Sequence, residues 1–240
     1  MEALAIYEGR GISRLIDLDE DLGAMLLERL HPGTMLASHP DRDERAEITG
    51  RILVDLHETP PPAIHNLPHF QDWMDEAFRD IRNCSDLGRS RPYLDQMSRA
   101  QAMMDTLKAS EEPQILLHGD LHHWNILNDE SRGWMAIDPG GVIGASCLDA
   151  GRFIVNALDF DDNSSAAEMR EILLESIRIL SDVLGESKER MFAGAFCDKI
   201  TGSGWGFDKP HREYDEISQR MLQVMVEVGQ DVDDGKIGVG

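Results

Sequence analysis

His118-Gly119-Asp120-Leu121-His122-His123-Trp124-Asn125-Ile126-Leu127, followed by Ala136-Ile137-Asp138-Pro139-Gly140, decides the reading of this chain. Polar side chains cluster here between short apolar runs, and a buried carboxylate without a partner is costly, so the cluster needs a chemical reason. Phosphoryl transfer supplies one. It requires a carboxylate to orient and deprotonate an attacking hydroxyl, and oxygen ligands to hold Mg²⁺ on nucleotide phosphates. Asp120 and Asn125 stand five positions apart, each beside a short strand, and Asp138 closes the next hairpin. That is the spacing a phosphoryl-transfer loop uses for its base, its metal-binding amide and the metal-binding Asp that follows. Asp138 and Asn125 present the carboxylate and carbonyl oxygens that Mg²⁺ prefers. His118, Asp120, His122 and His123 also make up a set of zinc-ligand types on one loop. That hydrolytic reading leaves Asn125 and the Asp138 turn unexplained. A merely structural polar loop accounts for an isolated Asp and not for the constellation.

Outward from this stretch, Gln114–Leu117 reads as a short buried strand, and Asn125–Leu127 and Trp134–Ile137 as two more across a polar turn. Upstream, apolar residues recur at helical spacing from Ser38, a plausible N-cap with Pro40 in the first turn, until Thr59-Pro60-Pro61-Pro62. Further helices are expected over 69–82 and 92–109. Downstream they are expected over 148–158, 165–184, 187–199 and 211–228. The first thirty residues read as strands: Ala3–Glu8 and Ile12–Leu18 around Gly9-Arg10-Gly11, then Met25–Leu30, stopped by His31-Pro32-Gly33. The expected organisation is residues 1–31 as a strand remnant and hinge, 32–228 as a helical body carrying the loop, and 229–240 as a frayed tail.

Composition bounds the partners. The 240 residues suffice for one large domain or two small ones, and 41% hydrophobic content excludes a disordered chain. With 45 acidic and 23 basic residues the formal charge is −22, which argues against nucleic acid and suits a cationic small molecule. No apolar run approaches the ~20 residues that span a bilayer. The start, Met1-Glu2-Ala3-Leu4, lacks the basic flank of a signal peptide. Cys84, Cys147 and Cys197, odd in number and without metal spacing, fit a reduced cytoplasm.

The loop and the Ala136-Ile137-Asp138-Pro139 turn resemble the aminoglycoside phosphotransferases. Within them the chain is most similar to the aminoglycoside/hydroxyurea antibiotic resistance kinases, the branch that includes streptomycin 6-phosphotransferases. Met25-Leu26-Leu27-Glu28-Arg29-Leu30 with Pro32-Gly33 matches that branch's hinge, and Asp149-Ala150-Gly151-Arg152 its Asp-containing helix start. The resemblance implies an α+β, protein-kinase-like fold, represented mainly by its helical C-terminal lobe. It implies ATP as phosphate donor with Mg²⁺, and an aminoglycoside acceptor. By the same resemblance Asp120 is the base and Asn125 and Asp138 hold Mg²⁺. The backbone of Glu28, Arg29 and Leu30 meets adenine, and His118 and Asp149 support the loop.

The family's N-terminal lobe carries a phosphate-covering loop, a strand Lys and a helix Glu. Here Gly9-Arg10-Gly11 fits a hairpin, and the first lysine is Lys108. The expectation is therefore a shortened member with weak activity. The alternatives are a non-catalytic remnant or a kinase of another small hydroxylated metabolite. A strand pair without its neighbours has an open edge, so self-association through residues 3–18 is expected. Cationic acceptors call for carboxylates and aromatic faces; Asp159, Asp161 and Asp162, with Glu168 beyond them, and Trp205 in a flexible glycine-rich stretch are the candidates.

Overall fold

The structure, a computed structural model, describes residues 2–63, 65–158, 164–205 and 212–233. The chain opens on a helix, α1 (Glu2–Tyr7), where a strand was expected. Six residues satisfy both periods; burial of Ala3, Leu4 and Tyr7, one helical face, decides between them. Tyr7 Oη donates to the carbonyl of Leu116 at 3.3 Å. Left-handed backbone at Glu8 and Gly9 then ends the helix.

The hairpin lies one element later than the sequence suggested: β1 (Leu15–Asp19) pairs antiparallel with β2 (Ala24–Leu27). Its apolar side chains are the uncovered ones, since Ile16, Leu22, Met25 and Leu26 are exposed while Ala3, Leu4, Tyr7 and Ile12 are core. The open apolar surface expected over 3–18 therefore falls on 16–26.

After the hinge, β3 (Pro32–Met35) leads through a 3₁₀ turn, Leu36–Ser38, to α2 (Arg42–His57). The N-cap of α2 is Asp41, which accepts from Glu44 N at 3.0 Å, and not Ser38, which closes the 3₁₀ turn. Next come α3 (Phe70–Asn83), α4 (Leu87–Leu94) and α5 (Met97–Ala109). The single helix expected over 92–109 is two: Asp86 caps an earlier start, and the chain breaks at Asp95 and Gln96.

Four short strands then carry the site. They are β4 (Ile115–Leu117), β5 (Ile126–Asp129), β6 (Gly133–Ala136) and β7 (Val142–Gly144). β3, β5 and β6 form one sheet in that order, and β4 pairs antiparallel with β7. The segment 11–13 joins the edge of β6, with Ser13 N donating to Ala136 O at 2.9 Å.

The body is completed by α6 (Ser146–Leu158), α7 (Ala166–Leu184), α8 (Lys188–Gly204) and α9 (Arg212–Asp233), close to the expected spans. α6 and α8 cross with backbones touching. A Cβ on Gly151 would lie 2.5 Å from the carbonyl carbon of Gly194, and one on Gly194 would lie 2.1 Å from the Cys147 oxygen. Only glycine at both positions permits this approach, and it sets Arg152 of α6 against Asp198, one turn beyond Gly194. Among the described residues no helix is long and apolar enough to cross a membrane.

Candidate active site

The loop from His118 to Asn125 leaves β4, crosses to β5, and is fixed chiefly through its backbone. Asp149, 1% exposed at the start of α6, accepts the N–H groups of His118 and Gly119, each at 2.7 Å. Gly119 is left-handed (φ 81°), and a Cβ there would sit 2.8 Å from the Trp73 ring, so the turn demands glycine on both counts.

His118 is the brace between the loop and the Asp138 turn. Asp120 N donates to its Nδ1 at 3.2 Å, so Nε2 carries the proton, which goes to Ile137 O at 3.0 Å. Complete burial lowers its pKa and keeps the ring neutral. Its carbonyl accepts from Gly141 N at 3.0 Å, so one residue grips both ends of the turn that presents Asp138. Ile137 N also donates to Asn125 O at 2.9 Å, which seats the exposed Asp138 beside Asn125. Asp138 itself is held at φ 57°, a conformation non-glycine residues enter at a cost.

Asn125 Nδ2 donates to the Asp120 carbonyl at 2.9 Å and approaches Asp120 Oδ2 at 3.5 Å. The amide oxygen is thereby left on the opposite side as a donor to a cation. The Asp120 carboxylate is 45% exposed and flanked by two nitrogens, His122 Nε2 at 3.6 Å and the Arg152 Nε at 3.5 Å. Burial works to raise its pKa, but the hydrogen bond from His122 and the charge of Arg152 outweigh it and hold the carboxyl below its ordinary range.

The zinc alternative meets two obstacles. Both nitrogens of His118 are engaged as described. His123 is buried, stacks on Phe153 at 4.3 Å, and is pushed down to about 3 by burial and by the charge of Arg45. Among the described residues no group of three or more His, Cys, Asp or Glu is arranged to hold a metal.

At the hinge, Glu28 N donates to Arg14 O at 2.9 Å, which engages its N–H, and Leu30 is buried. The Glu28 side chain is ion-paired with Arg132, whose guanidinium also reaches the carbonyls of Gly9 and Ile12. His31 N donates to Asp129 Oδ2 at 3.0 Å. The hinge is thus pinned to the β5–β6 hairpin and hence to the loop from His118 to Asn125.

Of the acceptor-side candidates, Asp159, Asp161 and Asp162 lie outside the described residues. Glu168 forms a capping box with Ser165 at the start of α7, a structural use. Trp205 caps α8; the preceding residues 201–204 are its last turn and not a flexible stretch. Its indole, 38% exposed, meets Trp73 edge-on at 5.5 Å and lies under the Arg152 guanidinium at 5.6 Å, which links it to Asp120. Three participants were missed from sequence: His57, whose Nε2 is 3.1 Å from Asp149, and the pair Arg152 and Asp198, 3.3 Å apart. The adjacent charges Asp198-Lys199 in the apolar run 191–200 were the available signal.

Comparison with known proteins accords with this geometry. A family model described as aminoglycoside/hydroxyurea antibiotic resistance kinase matches residues 1–199. The chain is 31% identical to streptomycin 6-kinase of Streptomyces griseus over 209 residues, covering 84% of this chain and 61% of that one. It is 29% identical to streptomycin 3''-kinase of Klebsiella pneumoniae, covering 78% and 67%. The chain thus spans about three fifths of the length of the Streptomyces griseus relative. Among solved structures it is similar in fold to a choline/ethanolamine kinase family protein from Mesorhizobium loti, with a TM-score of 0.69 and 14% identity. That match covers 94% of this chain and 77% of that one. The expected α+β, kinase-like architecture is borne out.

Proposed function

The chain belongs to the aminoglycoside/hydroxyurea antibiotic resistance kinase family, and from that premise we propose that it is an ATP-dependent O-phosphotransferase acting on an aminoglycoside of the streptomycin type, in the cytoplasm. The observation that carries the reading is the juxtaposition of Asp120 and Asn125 with the Asp138 turn, both arms held by His118.

Asp120, ionised and partly exposed, accepts the proton of the acceptor hydroxyl as that oxygen attacks the terminal phosphorus of ATP and the bond to the bridging oxygen of ADP breaks. The donor set of the exposed Asp138 carboxylate and the Asn125 amide oxygen suits a hard cation. These two residues would hold Mg²⁺, which when bound neutralises charge on the nucleotide phosphates. Asp149 and His118 keep the loop rigid, so the carboxylate is placed before substrate arrives. The Glu28 carbonyl and the backbone of Arg29 and Leu30 are assigned to the adenine edge. Trp205 and the carboxylates Asp159, Asp161 and Asp162 are assigned to the cationic acceptor, whose attraction the charge of −22 favours.

The test is ADP release from Mg-ATP with and without streptomycin, beside Asp120→Ala. Streptomycin-dependent release lowered at least about a hundredfold by the substitution supports the reading. Release indifferent to streptomycin, or unchanged in Asp120→Ala, defeats it. Self-association is assigned to the exposed face of Ile16, Leu22, Met25 and Leu26. Leu22→Lys with Leu26→Lys is expected to shift the sedimentation distribution toward monomer, and an unchanged distribution would remove that assignment.

A further inference from the structure

Asp198 of α8 is 1% exposed, and neither of its carboxylate oxygens accepts a hydrogen bond among the described residues. Its ion-pair partner is Arg152, and the same Arg152 Nε stands 3.3 Å from Asp198 Oδ1 and 3.5 Å from Asp120 Oδ1. That Nε is itself buried and makes a hydrogen bond to neither carboxylate. One N–H is therefore suspended between two carboxylates, one in the cleft and one in the interior. The guanidinium lies over the Trp205 ring, and a cavity of about 40 Å³ lined by Arg152, Asn156, Asp198, Gly202 and Ser203 leaves it room to shift. Lys199 acts on Asp198 through its charge, and its Nζ donates to Ser218 Oγ at 2.6 Å.

We propose that Asp198 is a positioning residue for Asp120, acting through Arg152: the buried carboxylate draws the guanidinium partly off Asp120, so that the base keeps an oxygen open to the acceptor hydroxyl. The proposal rests on the reading of Asp120 as the base. A guanidinium facing a single carboxylate closes on it as a two-pronged fork, which occupies both oxygens. Sharing between two carboxylates prevents that closure. When the acceptor proton passes to Asp120, that carboxylate loses its charge, and Arg152 remains balanced by Asp198. The Asp120–Arg152–Asp198 group thus passes from a net charge of −1 to neutrality as the proton arrives, and Arg152 keeps a carboxylate partner throughout. Burial pushes the Asp198 carboxyl up to about 6 against the pull of Arg152, the direction expected of a carboxylate with one shared partner.

The experiment is steady-state kinetics of the full chain with Mg-ATP and streptomycin for wild type, Asp198→Asn, Arg152→Gln and the double variant, each with a thermal melt. Asp198→Asn keeps the side-chain shape. It is expected to lower kcat on the order of tenfold to hundredfold with acceptor KM changed by less than about threefold and Tm not lowered. The double variant is expected to be no slower than Arg152→Gln alone, because the two residues act as one unit. An unchanged kcat in Asp198→Asn, a loss of kcat that tracks a fall in Tm, or additive losses would overturn the proposal. Absence of turnover in the wild type would defeat the functional reading and not this one, so a second readout is needed. The Arg152 Nε–H resonance, assigned by its disappearance in Arg152→Lys, is expected to move in both Asp198→Asn and Asp120→Asn. A resonance indifferent to either substitution overturns the shared contact whatever the activity.

Discussion

Asp149 and Asp198 are equally buried, on helices that touch through Gly151 and Gly194, and their surroundings are opposite. Asp149 accepts two backbone N–H groups at 2.7 Å and faces His57 Nε2 at 3.1 Å. Asp198 accepts no hydrogen bond among the described residues and shares one guanidinium. A buried carboxylate saturated with donors fixes the backbone that supplies them, and its cost of burial is offset by those bonds. A buried carboxylate short of donors stores an electrostatic cost that only a nearby charge relieves. The first kind builds the loop; the second kind sits where charge must move. The comparison predicts that removing the two charges will act on stability with opposite signs.

The larger effect belongs to Asp149. Asp149→Ala strands the N–H groups of His118 and Gly119 in the interior, at about 1–3 kcal/mol each, so a loss of about 4 kcal/mol is expected in urea unfolding, with turnover abolished. A loss below about 1 kcal/mol would mean that solvent reaches those groups and that the loop is not anchored there. Asp198→Asn is expected to stabilise, and only at high pH. A carboxyl whose folded pKa is raised from 3.8 to about 6 favours folding in its protonated form. That contribution is fully present below the ordinary value and is lost as pH rises through the folded one. The neutral amide escapes the loss. The variant should gain up to about 3 kcal/mol over wild type at pH 8, shrinking to nothing near pH 4. Melts at both values check it; a pH-independent difference would break the contrast between the two carboxylates.

The asymmetry also explains what was legible in the chain. Asp120, Asn125 and Asp138 lie on a local motif whose spacing points to phosphoryl transfer, His118 and Asp149 were assigned by resemblance, and the fold follows from helices long enough to show their period. The first strand failed because Ala3–Tyr7 is short enough to satisfy both periods, and only the docking of Ala3 and Tyr7 on distant segments selects the helix. The break after Leu94 failed because Asp95 and Gln96 interrupt no apolar stripe. Arg152, Asp198 and His57 were not read because their partners lie on other elements, 32, 46 and 92 positions away along the chain. Trp205 was found as a residue type, while its partner Arg152 was visible only in three dimensions. Asp159, Asp161 and Asp162, proposed for the acceptor, lie outside the described residues.

The smallest effect is the finest probe of the contrast. His57, at the last turn of α2, is the side-chain donor to Asp149 and supplies no backbone to the loop. His57→Leu removes one hydrogen bond to a buried carboxylate that keeps two backbone donors, so a cost of about 1–2 kcal/mol is expected, well short of Asp149→Ala. His57→Gln, which retains a donor, should recover part of it. Hydrogen exchange supplies the sharper readout. The His118 and Gly119 amides should stay protected in His57→Leu and lose protection in Asp149→Ala, because the carboxylate and not the imidazole holds them. If His57→Leu exposes both amides and costs as much as Asp149→Ala, the loop is anchored from α2 across to α6. Asp149 would then depend on a single distant partner, as Asp198 does, and the distinction between a saturated and an unsaturated carboxylate would no longer separate their roles.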